Sequence, residues 1–238
     1  MKLAVMQPYF LPYIGYFSLI KNVDQFILLD KVQFIRHGWI ERNRILKQNE
    51  GWLYIKVPLI KENNYCKISS IKIDNTQDWK NKIRSQLQPY KKAAKHYSEV
   101  KNIIEDIFEN EYDSITQLNL LSTKRICDYL NISTPIDSFS DSNIEIQAPK
   151  APDEWALNIC TSLKNVSEYW NPIGGKEFFD VKKYKDANIQ VKFLKHHLPE
   201  YSQNRGTFLP GLSIIDVLMF NSVEDANIMI DQFTIETD

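Results

Sequence analysis

The sequence predicts an α/β protein built on a mainly parallel sheet with helices on both faces. The apolar run "KLAVM" at 2–6 has the length of a buried strand, and "GYFSLIKNV" at 15–23 carries apolar residues at helical spacing. The run "QFILLDKVQF" at 25–34 is continuously β-rich, as in strands that are covered on both faces. A strand, a helix and a strand in this order form a βαβ unit, whose crossover is right-handed in nearly all proteins.

The middle of the chain changes from strand to helix. The stretches "GWLYIKVPLI" at 51–60 and "YCKISSIKI" at 65–73 predict a further strand and a shorter strand at an edge. Residues 76–135 carry amphipathic patterns that predict several helices, with an interruption at Pro89. We therefore expect one α/β domain over residues 1–238 with a helical insertion at 76–135.

The last part of the chain returns to alternating elements. After a stretch rich in Ser, Asp and Pro, Asp153 is expected to be the N-cap of an apolar helix. Strands are predicted at 167–173 and 189–197, with a loop and short helix between them, and helices at 213–222 and 223–233. This order favours a Rossmann-like fold, in which ligands lie beyond the carboxyl ends of the strands, where the strand order reverses.

Composition and charge argue against several classes of partner. The chain has 238 residues, of which 43% are hydrophobic and 25% charged, and its formal net charge is -1. Such a chain lacks the basic field that nonspecific binding to nucleic acid or to an anionic membrane requires. No apolar run approaches the ~20 residues of a membrane span, and the apolar run at the N-terminus is too short for a signal peptide. We expect a cytoplasmic protein with no membrane span and no nucleic-acid partner.

The three cysteines, Cys66, Cys127 and Cys160, lie far apart and form no CxxC pair. An odd number without metal-ligand spacing indicates a reducing compartment and buried thiols. No metal site is predicted.

Four segments follow the predicted strand ends: 7–15, 30–44, 171–175 and 196–203. The carboxyl ends of parallel strands meet at one edge of a sheet, so these segments are expected to line one crevice. The first, "QPYFLPYIG", is predicted to be a loop, because each of its prolines would remove a donor from a strand ladder. Its candidate binding residues are Gln7, Pro8, Tyr9, Phe10, Tyr13 and Gly15.

The second segment is rich in arginine, whose guanidinium group binds phosphate or carboxylate oxygens through two parallel hydrogen bonds. The alternative is that Asp30 and Glu41 neutralise the arginines on the surface. The candidate binding residues here are Asp30, Arg36, Trp39, Arg42, Asn43 and Arg44, and His37 is a candidate general base.

The third and fourth segments carry two glycines and two histidines. Gly174 and Gly175 would let the backbone approach a phosphate, although a plain turn is the alternative because P-loop spacing is missing. Adjacent strand residues point to opposite faces, so at most one of His196 and His197 faces the crevice. That histidine is either a general base or a hydrogen-bonded structural residue. The candidates are His197 for catalysis and His196, Tyr201 and Gln203 for binding.

These motifs together resemble the WbqC-like protein family. The resemblance rests on "MQPYFLPYIGYFSLIKNVDQFILLDKVQF", "RNRI", the glycine-containing segment after "EYW", and "HHLPEYSQ" followed by "FLPGLSIIDVLMFN". It spans nearly the whole chain.

The resemblance implies a role in the biosynthesis of O-antigen or other surface polysaccharides. The expected reaction transfers an amino acid such as glycine, or another acyl group, to the amine of a nucleotide-linked amino sugar. Arg42 and Arg44 would then hold the diphosphate, the aromatic residues would hold the base or sugar, and His197 or His37 would accept the proton. The acyl group would either be activated in place with ATP or arrive ready-made as an acyl thioester.

The opening strand, turn and helix also resemble the start of pantothenate synthetases and cytidylyltransferases, which hold ATP or CTP at that corner. The sequence lacks their paired-histidine signature, since Tyr13, Gly15 and Tyr16 stand there. Two alternatives stay open: a nucleotidyltransferase acting on a sugar or carboxylate, and a non-catalytic protein that binds nucleotide sugars in the same pathway.

Overall fold

A computed structural model describes residues 1–60, 65–204 and 206–237 of the chain. The strands within these ranges are β1 (Lys2–Met6), β2 (Gln25–Leu28), β3 (Arg42–Leu46), β4 (Trp52–Lys56), β5 (Ile136–Ser138), β6 (Glu168–Pro172), β7 (Gln190–His196) and β8 (Phe233–Thr237). The helices are α1 (Ile14–Lys21), α2 (Trp79–Leu87), α3 (Tyr90–Ala93), α4 (Tyr97–Glu109), α5 (Ile115–Tyr129), α6 (Glu154–Leu163), α7 (Val181–Asp186), α8 (Ile214–Phe220) and α9 (Val223–Ile230), with 3-10 helices at Ile68–Ser70 and Ile173–Phe178.

Six strands form the central sheet in the order β5-β2-β1-β6-β7-β8. All neighbouring pairs are parallel except β7 and β8. The chain moves from β1 to β2 and β5 on one side, and then returns to β6, β7 and β8 on the other. The order therefore reverses between β1 and β6, as in doubly wound α/β sheets.

The predicted α/β class is confirmed, and helices cover both faces of the sheet. Successive residues of β1 alternate between faces: Leu3 and Val5 pack with α6 and α7, whereas Ala4 packs with α1, α8 and α9. All three side chains are at least 96% buried, which explains why the sequence of β1 reads as a continuous apolar run. The more specific Rossmann-like assignment stays a prediction.

Three strands differ from the sequence-based expectation. Arg42–Leu46 is a strand, and it pairs with β4 in a separate antiparallel hairpin. The Ser- and Asp-rich stretch supplies β5 at the edge of the central sheet. The segment after the last predicted helix is β8, which shares only Phe233 with that prediction, pairs antiparallel with β7 and covers its outer edge.

The predicted edge strand at 65–73 is wrong. A 3-10 helix occupies Ile68–Ser70 instead. The amides of Ile68 and Ser69 donate to the carbonyls of Val32 and Asp30, at 3.0 and 2.9 Å, so this segment crosses the chain beyond β2 rather than extending along a strand.

Helices α2, α3, α4 and α5 follow one another between β4 and β5, with Pro89 at the start of α3 as the sequence predicts. Their buried residues, among them Ile83, Val100 and Leu118, belong to the same hydrophobic cluster as Phe17 of α1 and Leu218 of α8. The division into one domain and an insertion stays a prediction.

Candidate functional site

A cavity of about 610 Å³ lies at the carboxyl ends of β1 and β6, where the strand order reverses. Met6 and Gln7 line it at the end of β1, and Asn171 and Pro172 line it at the end of β6. The hairpin β3–β4 contributes from one face of the sheet and the start of α6 from the other. Each of the four segments predicted to meet in a crevice supplies at least one residue to the wall.

The loop from Gln7 to Tyr13 is fixed by hydrogen bonds to distant elements. Asn119 of α5 donates to the carbonyl of Pro8 at 2.9 Å, and Asn43 of β3 donates to those of Phe10 and Leu11 at 3.1 and 2.9 Å. The Ser213 hydroxyl also donates to Leu11, at 2.7 Å. Because its carbonyls are held in this way, the loop presents its side chains to the cavity in a preset arrangement.

Gln7, Tyr9 and Tyr13 of this loop line the cavity. Burial raises the pKa of both tyrosines, and the proximity of Tyr9 raises the pKa of Tyr13 further. No side chain or backbone group in the described part of the chain forms a hydrogen bond with either hydroxyl. Both tyrosines are therefore protonated donors that can turn toward a bound ligand.

Arg44 is the arginine of the cavity wall. Its guanidinium carbon lies 5.5 Å from the ring centre of Trp39 and 5.4 Å from that of Trp52. One Nη donates to the carbonyl of Gly211 at 3.1 Å, and Nε has no partner among the described residues. The two aromatic contacts and the single hydrogen bond hold the group while leaving donors for an anion.

Arg42 lies on the same face of β3 as Arg44 but outside the cavity wall. Its guanidinium carbon is 4.2 Å from the ring centre of Tyr54, and its Nη2 donates to the backbone carbonyl of His37. Asn43, between the two arginines, points to the other side, where it holds the opening loop.

Asn171 places an open acceptor in the cavity. Its Nδ2 donates to the hydroxyl of Tyr169 at 2.8 Å. That hydroxyl in turn donates to the carbonyl of Val5 at 3.4 Å. Because the tyrosine proton is used on Val5, the Asn171 amide must present its NH₂ to Tyr169 and its Oδ1 toward Gly175 and the cavity. Nothing in the described part of the chain donates to this Oδ1.

Asp153 supplies a carboxylate to the same wall. It stands at the N-cap position of α6, as predicted, but its side chain caps no helical amide. It accepts instead from Lys183, which lies 3.2 Å from Asp153 Oδ2 and 3.0 Å from Glu154 Oε1. Two carboxylates thus share one ammonium group at this wall.

The sequence model of the WbqC-like protein family matches residues 7–228. The chain belongs to this family. It is also 31% identical over 223 residues to the uncharacterized protein Rv1507c of Mycobacterium tuberculosis, a match that covers 92% of this chain and 93% of that relative. No solved structure matches the chain.

Two kinds of feature are missing from the described part of this WbqC-like protein, a metal-binding cluster and a membrane-spanning helix. Within the described ranges, no group of three or more His, Cys, Asp and Glu side chains is arranged to hold a metal ion. None of the helices there is both long and apolar enough to cross a bilayer.

The three candidate histidines do not line the cavity wall. His196 accepts from the amide of Leu198 through Nδ1 at 3.0 Å and bonds the carbonyl of Met229 through Nε2 at 2.9 Å. Burial lowers the pKa of His196, so both contacts describe a neutral ring. His197 and His37 are exposed, and Leu198 and Trp39, close to them in the chain, do line the cavity.

Asp30, Tyr201 and Gln203 lie in other polar clusters of this WbqC-like protein. Asp30 is fully buried and accepts from the Ser140 amide and hydroxyl at 2.9 and 2.5 Å, and burial raises its pKa. Tyr201 and Gln203 donate to one buried oxygen of Asp216, at 2.5 and 3.0 Å. These contacts join the loop before α8 to that helix.

The structure therefore brings together only part of the predicted set. The predicted residues on the cavity wall are Gln7, Tyr9, Tyr13, Trp39, Asn43, Arg44, Gly174 and Gly175. Those away from it are Pro8, Phe10, Gly15, Asp30, Arg36, His37, Arg42, His196, His197, Tyr201 and Gln203. Phe10 is fully buried in the core, and Gly15 lies beneath the Tyr13 ring.

Sequence reasoning did not name several wall residues as site residues: Asp153, Trp155, Asn171, Phe178, Phe179 and Gly211. Asn171 lies near the end of the predicted strand at 167–173 and in the segment 171–175 that was expected to line the crevice, and that position was the signal that could have found it. For Asp153 the N-cap pattern concealed a second role, because the same residue type both caps helices and binds cations.

Proposed function

We propose that this WbqC-like protein binds a nucleotide-activated amino sugar in the cavity between β1 and β6 and transfers an amino acid or another acyl group to the sugar's amine. The observation that carries the proposal is the cavity itself. It lies at the reversal of strand order, and the guanidinium carbon of Arg44 on its wall lies 5.5 and 5.4 Å from the ring centres of Trp39 and Trp52. Family membership supports the surface-polysaccharide context.

The size and lining of the cavity suit this class of ligand. A volume of about 610 Å³ falls within the ~300–1,000 Å³ of small-molecule sites. Aromatic side chains give flat surfaces for a base or a sugar ring: Tyr9, Tyr13, Trp39, Trp155, Phe178 and Phe179. Arg44 offers the charge and donors that a diphosphate needs.

The reaction forms one amide bond. The amine nitrogen attacks the acyl carbon, the bond from that carbon to its activating group breaks, and the ammonium proton leaves to a base. Positioning of the two reactants supplies much of the rate in such a transfer. His197 and His37 stay our proposed bases, since they precede the wall residues Leu198 and Trp39 by one and two positions.

A thermal-shift panel tests the binding step. The full-length protein is heated with UDP-sugars, dTDP-amino sugars, ATP and CTP in separate wells. We expect the nucleotide sugars to raise Tm, because a ligand that binds only the folded state stabilises it. If no nucleotide of any kind raises Tm, the proposal is wrong.

The same panel separates the competing functions. A shift with CTP or ATP and none with nucleotide sugars would favour a nucleotidyltransferase. Pyrophosphate release from ATP in the presence of glycine would show that the acyl group is activated in place. Binding of an amino sugar without formation of an amide, with either ATP and glycine or a thioester donor, would favour a binding protein without catalysis.

A further inference from the structure

The cavity has two walls of different charge, one on each face of the sheet. The first wall carries Arg44, which comes from the hairpin on the side of α1 and α8. The second carries Asp153 and Asn171, whose neighbours are α6 and α7. A ligand that spans the cavity therefore meets a cation at one end and acceptors at the other.

The acceptors of the second wall are held in place. Asp153 is 6% exposed and Asn171 is 7% exposed, although both line the cavity. The Tyr169 hydroxyl fixes the direction of the Asn171 amide, and Gly175 leaves the space that its Oδ1 occupies. The Oδ1 of Asn171 stays accessible from the cavity and accepts from no described residue, so it can accept from a donor that arrives with the ligand.

The Asp153 carboxylate keeps capacity for a second partner. Its only charged partner in the described ranges is Lys183, which it shares with Glu154. The backbone amide of Asp180 adds a contact of 3.4 Å to Oδ2. Because each carboxylate oxygen can accept two hydrogen bonds, Asp153 can still accept from a ligand.

We infer that Asp153 and Asn171 form an ammonium-binding wall that selects ligands with a primary amine. The inference rests on the function proposed above and adds the recognition of the amine to it. A primary ammonium has three hydrogen-bond donors and no acceptor. A carboxylate and an amide oxygen are both acceptors, so each can accept from this group and no donor faces another donor. A hydroxyl or an acetamide at the same position carries no charge and fewer donors.

The amine has two sources in the proposed reaction: the amino sugar and the amino acid. Two matched pairs of probes distinguish them by calorimetry. The first pair is a dTDP-4-amino-4,6-dideoxyhexose and the corresponding dTDP-6-deoxyhexose with a hydroxyl at that carbon. The second pair is glycine and glycolate, measured in the presence of the dTDP-6-deoxyhexose.

We expect the amine member of one pair to bind at least about tenfold more tightly than its hydroxyl partner, as for a hydrogen bond to a charged group. Asn171→Leu should reduce this preference by about threefold to tenfold, since one acceptor is lost. Asp153→Asn should abolish it. Asn171→Asp keeps the shape of the side chain and should increase the preference.

Glu154→Gln is the matched control. It removes the other carboxylate at Lys183 without changing a residue of the wall, so the preference should stay within about threefold of the wild-type value. Melting temperatures of all variants establish that each is folded. If Asp153→Asn does not fold, the increase in amine preference expected for Asn171→Asp still tests the inference.

Two results would overturn the inference. One is equal affinity for the two members of both pairs, and the other is a preference that Asn171→Leu and Asn171→Asp leave unchanged. In either case the nucleotide sugars still bind, so the proposed function survives. If neither dTDP-sugar binds, the proposed function is wrong and the inference falls with it.

Discussion

The side-chain oxygen of Asn171 occupies the space in which a Cβ on Gly175 would stand. The φ of Gly175, which lies in the 3-10 helix Ile173–Phe178, is outside the left-handed region, so its backbone conformation does not require a glycine. Its lack of a side chain lets Asn171 keep its contact with Tyr169 while its oxygen faces the cavity.

This relationship predicts different effects for two adjacent glycines. Gly175→Ala should displace the Asn171 amide and weaken nucleotide-sugar binding by about fivefold, the value of one net hydrogen bond. Gly174→Ala is the matched control, because nothing lies within 4 Å of its Cβ position. Titration calorimetry of both variants checks the prediction, and equal effects of the two substitutions would contradict it.

Arg44 and Arg42 lie on one face of β3 but differ in access to the cavity. Arg44→Ala should weaken binding of a nucleoside diphosphate sugar by about tenfold or more, as for the loss of hydrogen bonds to a charged group. Arg42→Ala should have a smaller effect, since Arg42 is engaged with Tyr54 and His37. If the two variants lost affinity equally, both arginines would bind the diphosphate and the expected difference between them would be wrong.

Asn119 of α5 connects the opening loop to the hairpin, because its Nδ2 donates at 2.9 Å to both Pro8 and Ile40. Asn119→Leu leaves two buried carbonyls without a donor and should lower the free energy of unfolding by about 2–4 kcal/mol. Thr116→Val, one turn earlier, removes a buried hydroxyl that has no partner among the described residues. It should be neutral or stabilising. Urea unfolding of both variants measures the contrast.

The lowered pKa of His196 predicts how the stability of the folded protein depends on pH. Burial lowers its pKa in the folded protein, whereas the unfolded value is about 6.5. As the pH falls below about 6.5, this histidine becomes protonated in the unfolded state but stays neutral in the folded state. The free energy of unfolding therefore decreases until the pH reaches the pKa of the folded state. His196→Gln should lose this part of the pH dependence.

Denaturant midpoints of the wild type and the His196→Gln variant, measured between pH 8 and pH 5, test this expectation. The two curves should run parallel above about pH 7.5, where the histidine is neutral in both states. A wild-type curve that stays parallel to that of the variant down to pH 5 would contradict it.

The local sequence pattern was sufficient to predict the helices and strands whose buried apolar residues recur at a regular spacing. Examples are β1, α1 and β6, which the sequence predicts within one or two residues. The prediction was incomplete where a segment is polar and pairs with a distant partner. Arg42–Leu46 begins in the segment 30–44, which was expected only to follow a strand, yet its ladder with β4 makes it a strand, because strand formation depends on the neighbour as well as on the sequence.

The sequence by itself determined the α/β class and the edge of the sheet at which the cavity lies. Both follow from the order of the elements, because parallel strands with crossovers direct their carboxyl ends to one edge. The opening loop was already marked by its prolines as a rigid loop after a strand. The family resemblance, confirmed over residues 7–228, also came from the sequence alone.

Only the tertiary structure decided which polar side chains share the cavity. Arg42 and Arg44 look equivalent in the sequence, yet Arg42 lies against the ring of Tyr54, and only Arg44 of the two, near the rings of Trp39 and Trp52, lines the cavity. Asp153 and Asn171 lie 18 positions apart, and they meet on one wall because β6 returns beside β1 in the sheet. The direction of a side chain depends on long-range packing and hydrogen bonds, which no local pattern of residues contains.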